Sequence, residues 1–261
     1  MAVDTYPTVQ NELTTIQKIL DDGVSLSRFG DGEIKLIDGG AQVREPKNGK
    51  LGAELAEVLV DNDPRLIVGI PTMDPMGPKI KNWEGRRPRF LPHLSPDVKY
   101  YSSFVSRPDS APWISSQEYA QKVCDIWRNK RVTIVCEEHS KLLTVLRKTC
   151  KEKLDWVKCP SHEAYKQISE YQNYILRGRS DVTILSHGPS ATCLARRLAH
   201  HDRQCVDLGS VGGFLLKMLD LEPLGDLRTC VIKRPENMTV DEMQAKLSEQ
   251  WDLKFFDEKE R

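Results

Sequence analysis

Short, continuous apolar runs alternate along the chain with longer stretches in which apolar residues recur at helical spacing. The short runs are predicted to be strands, and their uninterrupted apolar character is typical of strands covered on both faces of a parallel sheet. Predicted strands lie at residues 24–29, 66–70, 132–136, around 156–157, 182–185, 204–208 and 229–232. Predicted helices lie at residues 51–60, 115–129, 140–150, 161–176 and 190–200. This alternation predicts an α/β fold with a single Rossmann-like, doubly wound sheet.

Two segments depart from this alternation. Residues 71–113 are rich in Pro and Gly and show little periodicity, so we expect a long loop or a lid beside the functional site. Residues 250–261 end in a run of charges and are expected to form a frayed tail. Neither segment has the pattern of a second folding unit, and residues 1–261 are therefore predicted to form one domain.

The composition is typical of a globular chain with a polar surface. Hydrophobic residues make up 39% and charged residues 29% of the 261 residues, and the mean hydropathy is -0.48. The 38 Lys and Arg residues balance the 38 Asp and Glu residues. The overall field therefore does not favour nucleic acid or an anionic membrane as a partner, although it leaves room for a local basic patch.

The sequence predicts a cytoplasmic protein without a membrane span. Its start has neither the basic residues nor the apolar run of a signal peptide, and no stretch is long enough to cross a bilayer. The seven cysteines are odd in number and contain no Cys-x-x-Cys pair, which favours reduced thiols over a disulfide framework. The histidines lack the spacing of a zinc site.

Two carboxylates separated by one residue, Asp31 and Glu33, follow the first predicted strand. The carboxyl end of a strand is where ligands bind an open α/β sheet, and carboxylate oxygens suit Mg²⁺ or Mn²⁺. Gly30 lets the backbone approach a ligand closely, and Arg28 offers a guanidinium suited to phosphate. An ordinary acidic helix start, with Asp31 as the N-cap, is the commoner explanation of these residues on composition alone.

A loop of small residues, 186–192, follows the strand predicted at 182–185 and opens a helix. Free N–H groups and the positive end of the helix dipole make such a loop a natural phosphate site. The loop lacks the Lys of a Walker sequence and the three glycines of a dinucleotide site, which argues against both classes. Ordinary capping, with Pro189 in the first helical turn, explains the same residues.

Further polar residues follow two other predicted strands. Glu137, Glu138 and His139 come after the strand at 132–136, and either glutamate is a candidate general base or extra metal ligand. A solvated, acidic helix start explains them equally well. Asp207 lies at the end of the strand at 204–208. Polar clusters at several strand ends indicate a site more strongly than any one cluster does alone.

A basic and aromatic segment, 79–90, carries the cations Lys79, Lys81, Arg86, Arg87 and Arg89 together with Trp83 and Phe90. It could hold a polyanionic acceptor through phosphate contacts and base stacking. A clamp for donor phosphates and a plain solvated loop are equally consistent with it.

The ordered motifs resemble those of the GT-D fold glycosyltransferases, whose Asp-x-Glu motif follows an Arg-[Phe/Tyr]-Gly stretch. The likeness runs through five segments in the same order, residues 25–34, 104–108, 157–160, 185–192 and 206–210. They resemble, in turn, the family's opening signature, its Ser-Arg-Pro segment, its Cys-Pro strand end, its Leu-Gly-Pro-Thr-Ala loop and its Asp-Ile-Gly-His segment. Two departures bear on acceptor choice and on the catalytic base: residues 161–165 differ from the expected Asn-Ala-Phe, and Ser210 stands where the family has His.

The resemblance implies a metal-dependent transferase that uses a nucleotide-sugar, with a UDP-sugar favoured. Asp31 and Glu33 would hold Mn²⁺ or Mg²⁺ and would act in catalysis, together with Glu137 or Glu138. Residues expected to bind the donor are Ser27, Arg28, Gly30, Gly188, Pro189, Ser190, Ala191 and Asp207. Residues expected on the acceptor side are Trp83, Arg86, Arg87 and Arg107.

Three functions are compatible with these features. The first is sugar transfer to a hydroxyl of a glycan or glycoprotein, as in similar enzymes that extend sugars on bacterial glycoproteins and polysaccharides. The second is transfer to hydroxymethylated bases of phage-type DNA, which the basic segment motivates and the zero net charge opposes. The third is a non-catalytic module that only binds a nucleotide-sugar. The intact Asp31, Glu33 and Arg28 oppose this last function.

Overall fold

Seven strands form one sheet, in order β3-β2-β1-β7-β6-β4-β5, and their pairings are parallel. The computed structural model describes residues 5–73, 83–108 and 116–221. Its strands are β1 (Ser25–Arg28), β2 (Leu66–Ile70), β3 (Tyr100–Ser102), β4 (Val132–Cys136), β5 (Leu154–Lys158), β6 (Val182–Ser186) and β7 (Cys205–Asp207). The predicted α/β fold with one doubly wound sheet is confirmed.

Helices cover both faces of this sheet. The first face carries α1 (Glu12–Asp22), α5 (Ser116–Asp125), α6 (Lys141–Thr149) and α9 (Gly212–Met218). The second face carries α2 (Asp31–Ile37), α3 (Gly49–Leu59), α7 (Ile168–Arg177) and α8 (Pro189–Ala199). A short helix, α4 (Arg87–Phe90), precedes β3. Within the described ranges, no helix is long and apolar enough to cross a membrane.

A separate apolar core lies on each side of the sheet. Trp127 and Ile16 are fully buried on the first side, and Leu55 and Leu194 are fully buried on the second. Each such side chain stabilises the fold by roughly 1.5–3 kcal/mol through the apolar surface that it removes from water. The continuous apolar runs in the sequence reflect this burial on both faces, since β2 and β4 are buried along their whole length.

The segment 71–113 contains more regular structure than its sequence pattern predicts, so the prediction of a continuous long loop is wrong. Helix α4 and strand β3 lie within it, each followed by a turn of 3₁₀ helix. Strand β3 has only three residues, too few for a periodic pattern to show. Tyr100 fixes the strand to the second face, because its hydroxyl donates a hydrogen bond to the Leu59 carbonyl at 3.1 Å. Residues 74–82 and 109–113 lie outside the described residues.

The described residues form one compact unit. The strand predicted at 229–232 and the tail predicted at 250–261 lie outside them, as does the end of the predicted single domain. Six cysteines are described, and all six are free thiols.

The strand order reverses between the neighbouring strands β1 and β7. The chain leaves β1 toward α2 on the second face, and it leaves β7 toward α9 on the first face. Such a switch point opens a crevice at the carboxyl ends of the strands, and this crevice is the usual ligand site of a doubly wound sheet.

Candidate active site

Arg28, the last residue of β1, joins three strand ends across the switch point. Its Nε donates to the Asp207 carbonyl at 2.8 Å, and its Nη2 donates to Asp207 Oδ1 at 3.2 Å. Its Nη1 donates to Ser106 Oγ at 2.7 Å and to the Ser103 carbonyl at 3.3 Å. A guanidinium has five N–H groups, so these bonds leave one for a ligand. Arg28 is therefore largely committed to protein oxygens.

Asp207 is the buried partner of this guanidinium. Burial raises the pKa of Asp207, and the charge of Arg28 opposes that rise. Its Oδ1 also accepts the Gly209 N–H at 3.0 Å. Gly209 has a φ of +47°, and a Cβ at this position would overlap Arg28 Nη2. The site thus requires Gly at 209 for both backbone and steric reasons.

The side chain of Ser27, a predicted donor-binding residue, is used inside the protein. Ser27 is fully buried, and its hydroxyl donates to the Thr192 carbonyl at 2.8 Å. In return, Thr192 Oγ1 donates to the Arg28 carbonyl at 2.9 Å. These two bonds fasten β1 to α8, so Ser27 positions the elements that carry the site.

Asp31 and Glu33 lie in the first turn of α2 but face different surroundings. Gly30 is the N-cap, and its N–H donates to Glu33 Oε2 at 2.7 Å, which is one of the two hydrogen bonds of a capping box. Asp31 is exposed and pairs with Arg86, whose Nη1 lies 3.1 Å from Asp31 Oδ2. Asp31 is therefore the first helical residue and not the N-cap.

Burial raises the pKa of Glu33 to about 7, and the Gly30 N–H acts in the opposite direction. Asp31 and Glu33 match in kind the oxygen ligands that Mg²⁺ and Mn²⁺ prefer. Within residues 5–73, 83–108 and 116–221, no group of three or more His, Cys, Asp or Glu side chains could hold a metal ion. A cation at this motif would therefore need oxygens from a ligand or from water.

Trp83 and Arg86 form one wall beside the Asp-x-Glu motif. The Trp83 ring packs edge-on against Phe104, with ring centres 5.6 Å apart, and its Cη2 lies 4.0 Å from the Cβ position of Gly30. The Arg86 guanidinium lies 5.0 Å from the centre of the Trp83 ring while it pairs with Asp31. The structure thus brings these two residues of the predicted acceptor side next to the motif.

The other predicted acceptor residues have different neighbours. The guanidinium of Arg87 lies 5.8 Å from the centre of the Tyr6 ring, on the outside of α4. Arg107, just after β3, lies 5.8 Å from the centre of the Phe214 ring in α9. Lys79 and Lys81 are outside the described residues.

Fewer residues of the loop before α8 are exposed than the sequence predicts. Gly188 is the N-cap, with a φ of +75°, and it is partly exposed. Pro189, Ser190 and Ala191 are buried, and the Ser190 hydroxyl donates to the His187 carbonyl at 3.1 Å. The prediction that backbone N–H groups of this loop bind the donor stays a prediction, and Gly188 is the residue of the loop N-terminus that is partly exposed.

A tight turn between α2 and α3, residues 42–45, lies over this loop; we call it the α2–α3 turn. Gln42 Cγ lies 3.9 Å from the Cβ position of Gly32, and its Nε2 lies 4.0 Å from that of Gly188. Arg44 Nη1 pairs with Glu137 Oε1 at 2.9 Å. Sequence analysis missed Gln42 and Arg44, since a short polar stretch between two helices carries no signal that separates it from any other loop.

The two glutamates after β4 have different partners. Glu137 is partly buried and faces Arg44 at the mouth of the site. Glu138 is exposed and pairs with Lys158 of the edge strand β5, at 2.6 Å. Of the two predicted general bases, the structure therefore places Glu137 next to the Gly188 loop and Glu138 on the β5 side.

Comparison with known proteins finds glycosyltransferases among the similar sequences. The chain is 27% identical over 214 residues to Glycosyltransferase GlyD of Streptococcus pneumoniae serotype 4, a match that covers 76% of this chain and 26% of that protein. It is 24% identical over 215 residues to the probable glycosyl transferase Gly of Streptococcus gordonii, covering 76% of this chain and 31% of that protein. The chain thus spans between a quarter and a third of the length of these relatives.

Solved structures share the fold. A structure described as the highly conserved domain of unknown function 1792, with a distinct glycosyltransferase fold, superposes with a TM-score of 0.72 and 23% identity over 89% of this chain and 90% of that one. A new glycosyltransferase from Streptococcus sanguinis gives a TM-score of 0.70 and 23% identity over 82% and 85% of the two chains. The family model described as glycosyltransferase GT-D fold matches residues 26–213. The chain belongs to the GT-D fold glycosyltransferase family.

Proposed function

We propose that this protein transfers a sugar from a nucleotide-sugar to a hydroxyl acceptor. The observation that carries the proposal is the position of Gln42, which contacts both the first turn of α2 at Gly32 and the loop at Gly188. One side chain thus lies beside both elements, and a diphosphate that spans the Asp-x-Glu motif and the Gly188 loop is the ligand that we propose for this place. The family membership and the names of the relatives support transferase chemistry.

We further propose that Asp31 and Glu33 hold Mn²⁺ or Mg²⁺ together with the donor diphosphate. Asp31 supports this role because its carboxylate is exposed at the mouth of the site and has an exchangeable partner in Arg86. The cation would neutralise the charge of the leaving diphosphate. Arg86, once displaced from Asp31, would remain beside Trp83 as a second positive charge for the donor or the acceptor.

Glu137 is the better candidate for the general base that deprotonates the acceptor hydroxyl. It lies at the carboxyl end of β4 beside the Gly188 loop, where its pairing with Arg44 fixes its orientation. Glu138 faces Lys158 at the other side of β4, which removes it from this position.

We propose a glycan or glycoprotein as the acceptor, and we keep from the family resemblance the expectation of a UDP-sugar donor. Transfer to modified DNA would need exposed cations and a free aromatic face in the segment 83–90. Arg86 and Arg89 instead pair with Asp31 and Asp38, and the Trp83 ring packs against its neighbours. The described part of this segment therefore offers DNA less than its composition suggests.

The experiment that tests the proposal is a donor screen. UDP-, GDP- and CDP-sugars are incubated with the protein and Mn²⁺, and release of the nucleoside diphosphate is measured with and without a panel of acceptors. The panel contains glycans, a glycopeptide and hydroxymethylated DNA. We expect release from one nucleotide class, with a UDP-sugar favoured, and stimulation by a glycan acceptor. Binding without turnover under all conditions would support the non-catalytic alternative.

A further inference from the structure

The α2–α3 turn is held rigidly in place over the Gly188 loop. Two backbone hydrogen bonds close it, from the Gln42 N–H to the Glu45 carbonyl at 2.9 Å and from the Glu45 N–H to the Gln42 carbonyl at 3.2 Å. Its outer side is anchored as well. The Glu163 N–H donates to the Arg44 carbonyl at 2.8 Å, and the Tyr165 N–H donates to the buried carboxylate of Glu45 at 3.0 Å. The side chains of the turn are therefore presented from a fixed backbone.

The carboxamide of Gln42 has a defined orientation. Its Oε1 accepts the Arg44 N–H at 3.0 Å, so the oxygen and nitrogen ends of the amide are not interchangeable. Nε2 consequently points toward Gly188, with its atom 4.0 Å from the Cβ position of that residue. Nε2 is buried, and among the described residues it has no hydrogen-bond partner. Buried amide donors in proteins are nearly always paired, so this N–H₂ indicates an acceptor oxygen supplied from outside the chain.

Arg44 supplies positive charge at the same place. Its Cδ lies 3.5 Å from the Cβ position of Gly188, and its guanidinium is partly exposed and oriented by Glu137. Arg28, the cation that the sequence suggests for the phosphates, has four of its five N–H groups committed to protein oxygens. Among the described residues, Arg44 is therefore the cation that lies against Gly188, and Glu137 balances part of its charge.

We propose that Arg44 and Gln42 bind the diphosphate of the nucleotide donor at Gly188. Arg44 provides the charge, and the Gln42 N–H₂ donates a hydrogen bond to a phosphate oxygen that lies against the Gly188 backbone. The lack of a Cβ at Gly188 lets the phosphate approach between the two side chains. This inference rests on the proposed function, because it assumes that a nucleoside diphosphate group occupies the site.

The test measures binding of UDP, GDP, CDP and uridine by calorimetry, with no turnover required. Arg44→Met removes the charge and Arg44→Lys restores it, while Gln42→Glu keeps the acceptor for the Arg44 N–H, removes the donor and adds a negative charge, which Gln121→Glu adds away from the site. Arg131→Met and Gln121→Glu are matched controls. Arg131 is also an ion-paired arginine, but it precedes β4 at the opposite edge of the sheet, and Gln121 is exposed on α5.

We expect Arg44→Met and Gln42→Glu each to raise the Kd of the nucleoside diphosphate that binds by about 10- to 100-fold, the range of a charge-assisted hydrogen bond. Arg44→Lys should recover part of the loss, the controls should bind as the wild type does, and uridine binding should not change. Wild-type affinity in both test variants would overturn this inference and leave the proposed function standing. Failure of the wild-type protein to bind any nucleoside diphosphate would overturn both.

Discussion

Arg28 Nη2 lies 3.2 Å from Asp207 Oδ1, and this contact crosses the switch point between β1 and β7. The sequence predicts a donor contact for both residues. Their polar atoms are instead used mainly on each other and on Ser103 and Ser106, which follow β3. The pair therefore fixes the relative positions of three strand ends.

The Arg28–Asp207 pair should show strong energetic coupling. Arg28→Met leaves a buried carboxylate without its cation, and we expect a loss of about 3–5 kcal/mol in the free energy of unfolding. The double variant Arg28→Met/Asp207→Leu should cost less than the sum of the two single changes, because it removes both charges. Urea denaturation of the four proteins measures the coupling. Additive losses would show that the two groups do not depend on each other.

Gly209 should tolerate no side chain. In Gly209→Ala the new Cβ meets Arg28 Nη2, and the positive φ adds backbone strain, so we expect a loss of about 2 kcal/mol or more. Gly213→Ala is the matched control, because Gly213 lies within α9 and a Cβ there would meet only Lys141 Cδ at 3.6 Å. The control should be neutral or slightly stabilising. Equal thermal shifts in both variants would refute the steric role assigned to Gly209.

His187 should make the fold sensitive to acid. Burial lowers the pKa of His187 to about 3, and the charge of Arg44 acts in the same direction. Since the pKa is depressed on folding, the unfolded chain binds the proton more readily. The contribution of neutral His187 to the free energy of unfolding is fully present above about pH 6.5 and is lost as the pH falls toward 3.

His187→Leu replaces the ring with an apolar side chain and should remove this dependence of the stability on pH. We expect the variant to equal or exceed the wild type in thermal stability at pH 7, and to exceed it by a growing margin between pH 6 and pH 4. The measurement is the melting temperature against pH for both proteins. Parallel curves over this range would mean that His187 does not titrate on unfolding.

The dependence of the acceptor KM on salt concentration should distinguish a glycan acceptor from a nucleic acid acceptor. Arg87 is an exposed cation that stacks on Tyr6, and a nucleic acid acceptor would use it for a phosphate contact. For a neutral glycan acceptor we expect the KM to change little with salt, and Arg87→Ala to leave it nearly unchanged. A steep rise of the acceptor KM with salt, flattened by Arg87→Ala, would favour modified DNA instead.

The sequence predicts those parts of the fold that depend on local pattern. Strand β4 and helix α8 follow from an apolar run and from helical spacing after a Gly-Pro start, and both lie where the pattern places them. Strand β3 has three residues and owes its position to pairing with β2, so no local pattern announces it.

The site was predictable in its location but not in its connections. The strand-end positions of Asp31, Glu137, Gly188 and Asp207 follow from a parallel sheet, since all carboxyl ends meet at one edge. Asp207, the partner of Arg28, lies 179 residues away in sequence. Local sequence therefore does not show that the Arg28 guanidinium donates its hydrogen bonds to protein oxygens. In the same way, the fold alone brings the α2–α3 turn onto Gly188.

The measurement that tests the central claim most directly is turnover of the nucleotide-sugar by Asp31→Asn, with Asp22→Asn as the control. Asp22 is an exposed aspartate at the end of α1, before β1 begins, and lies at the opposite edge of the sheet. The nucleotide-sugar is the one that the donor screen identifies, and release of the nucleoside diphosphate is followed in Mn²⁺ and in EDTA. Metal-assisted glycosyl transfer predicts that Asp31→Asn and EDTA each lower kcat at least 100-fold, about 2.7 kcal/mol of barrier. The midpoint of the unfolding transition of Asp31→Asn should be unchanged, and Asp22→Asn should be fully active. Wild-type turnover by Asp31→Asn in the presence of EDTA would contradict the account.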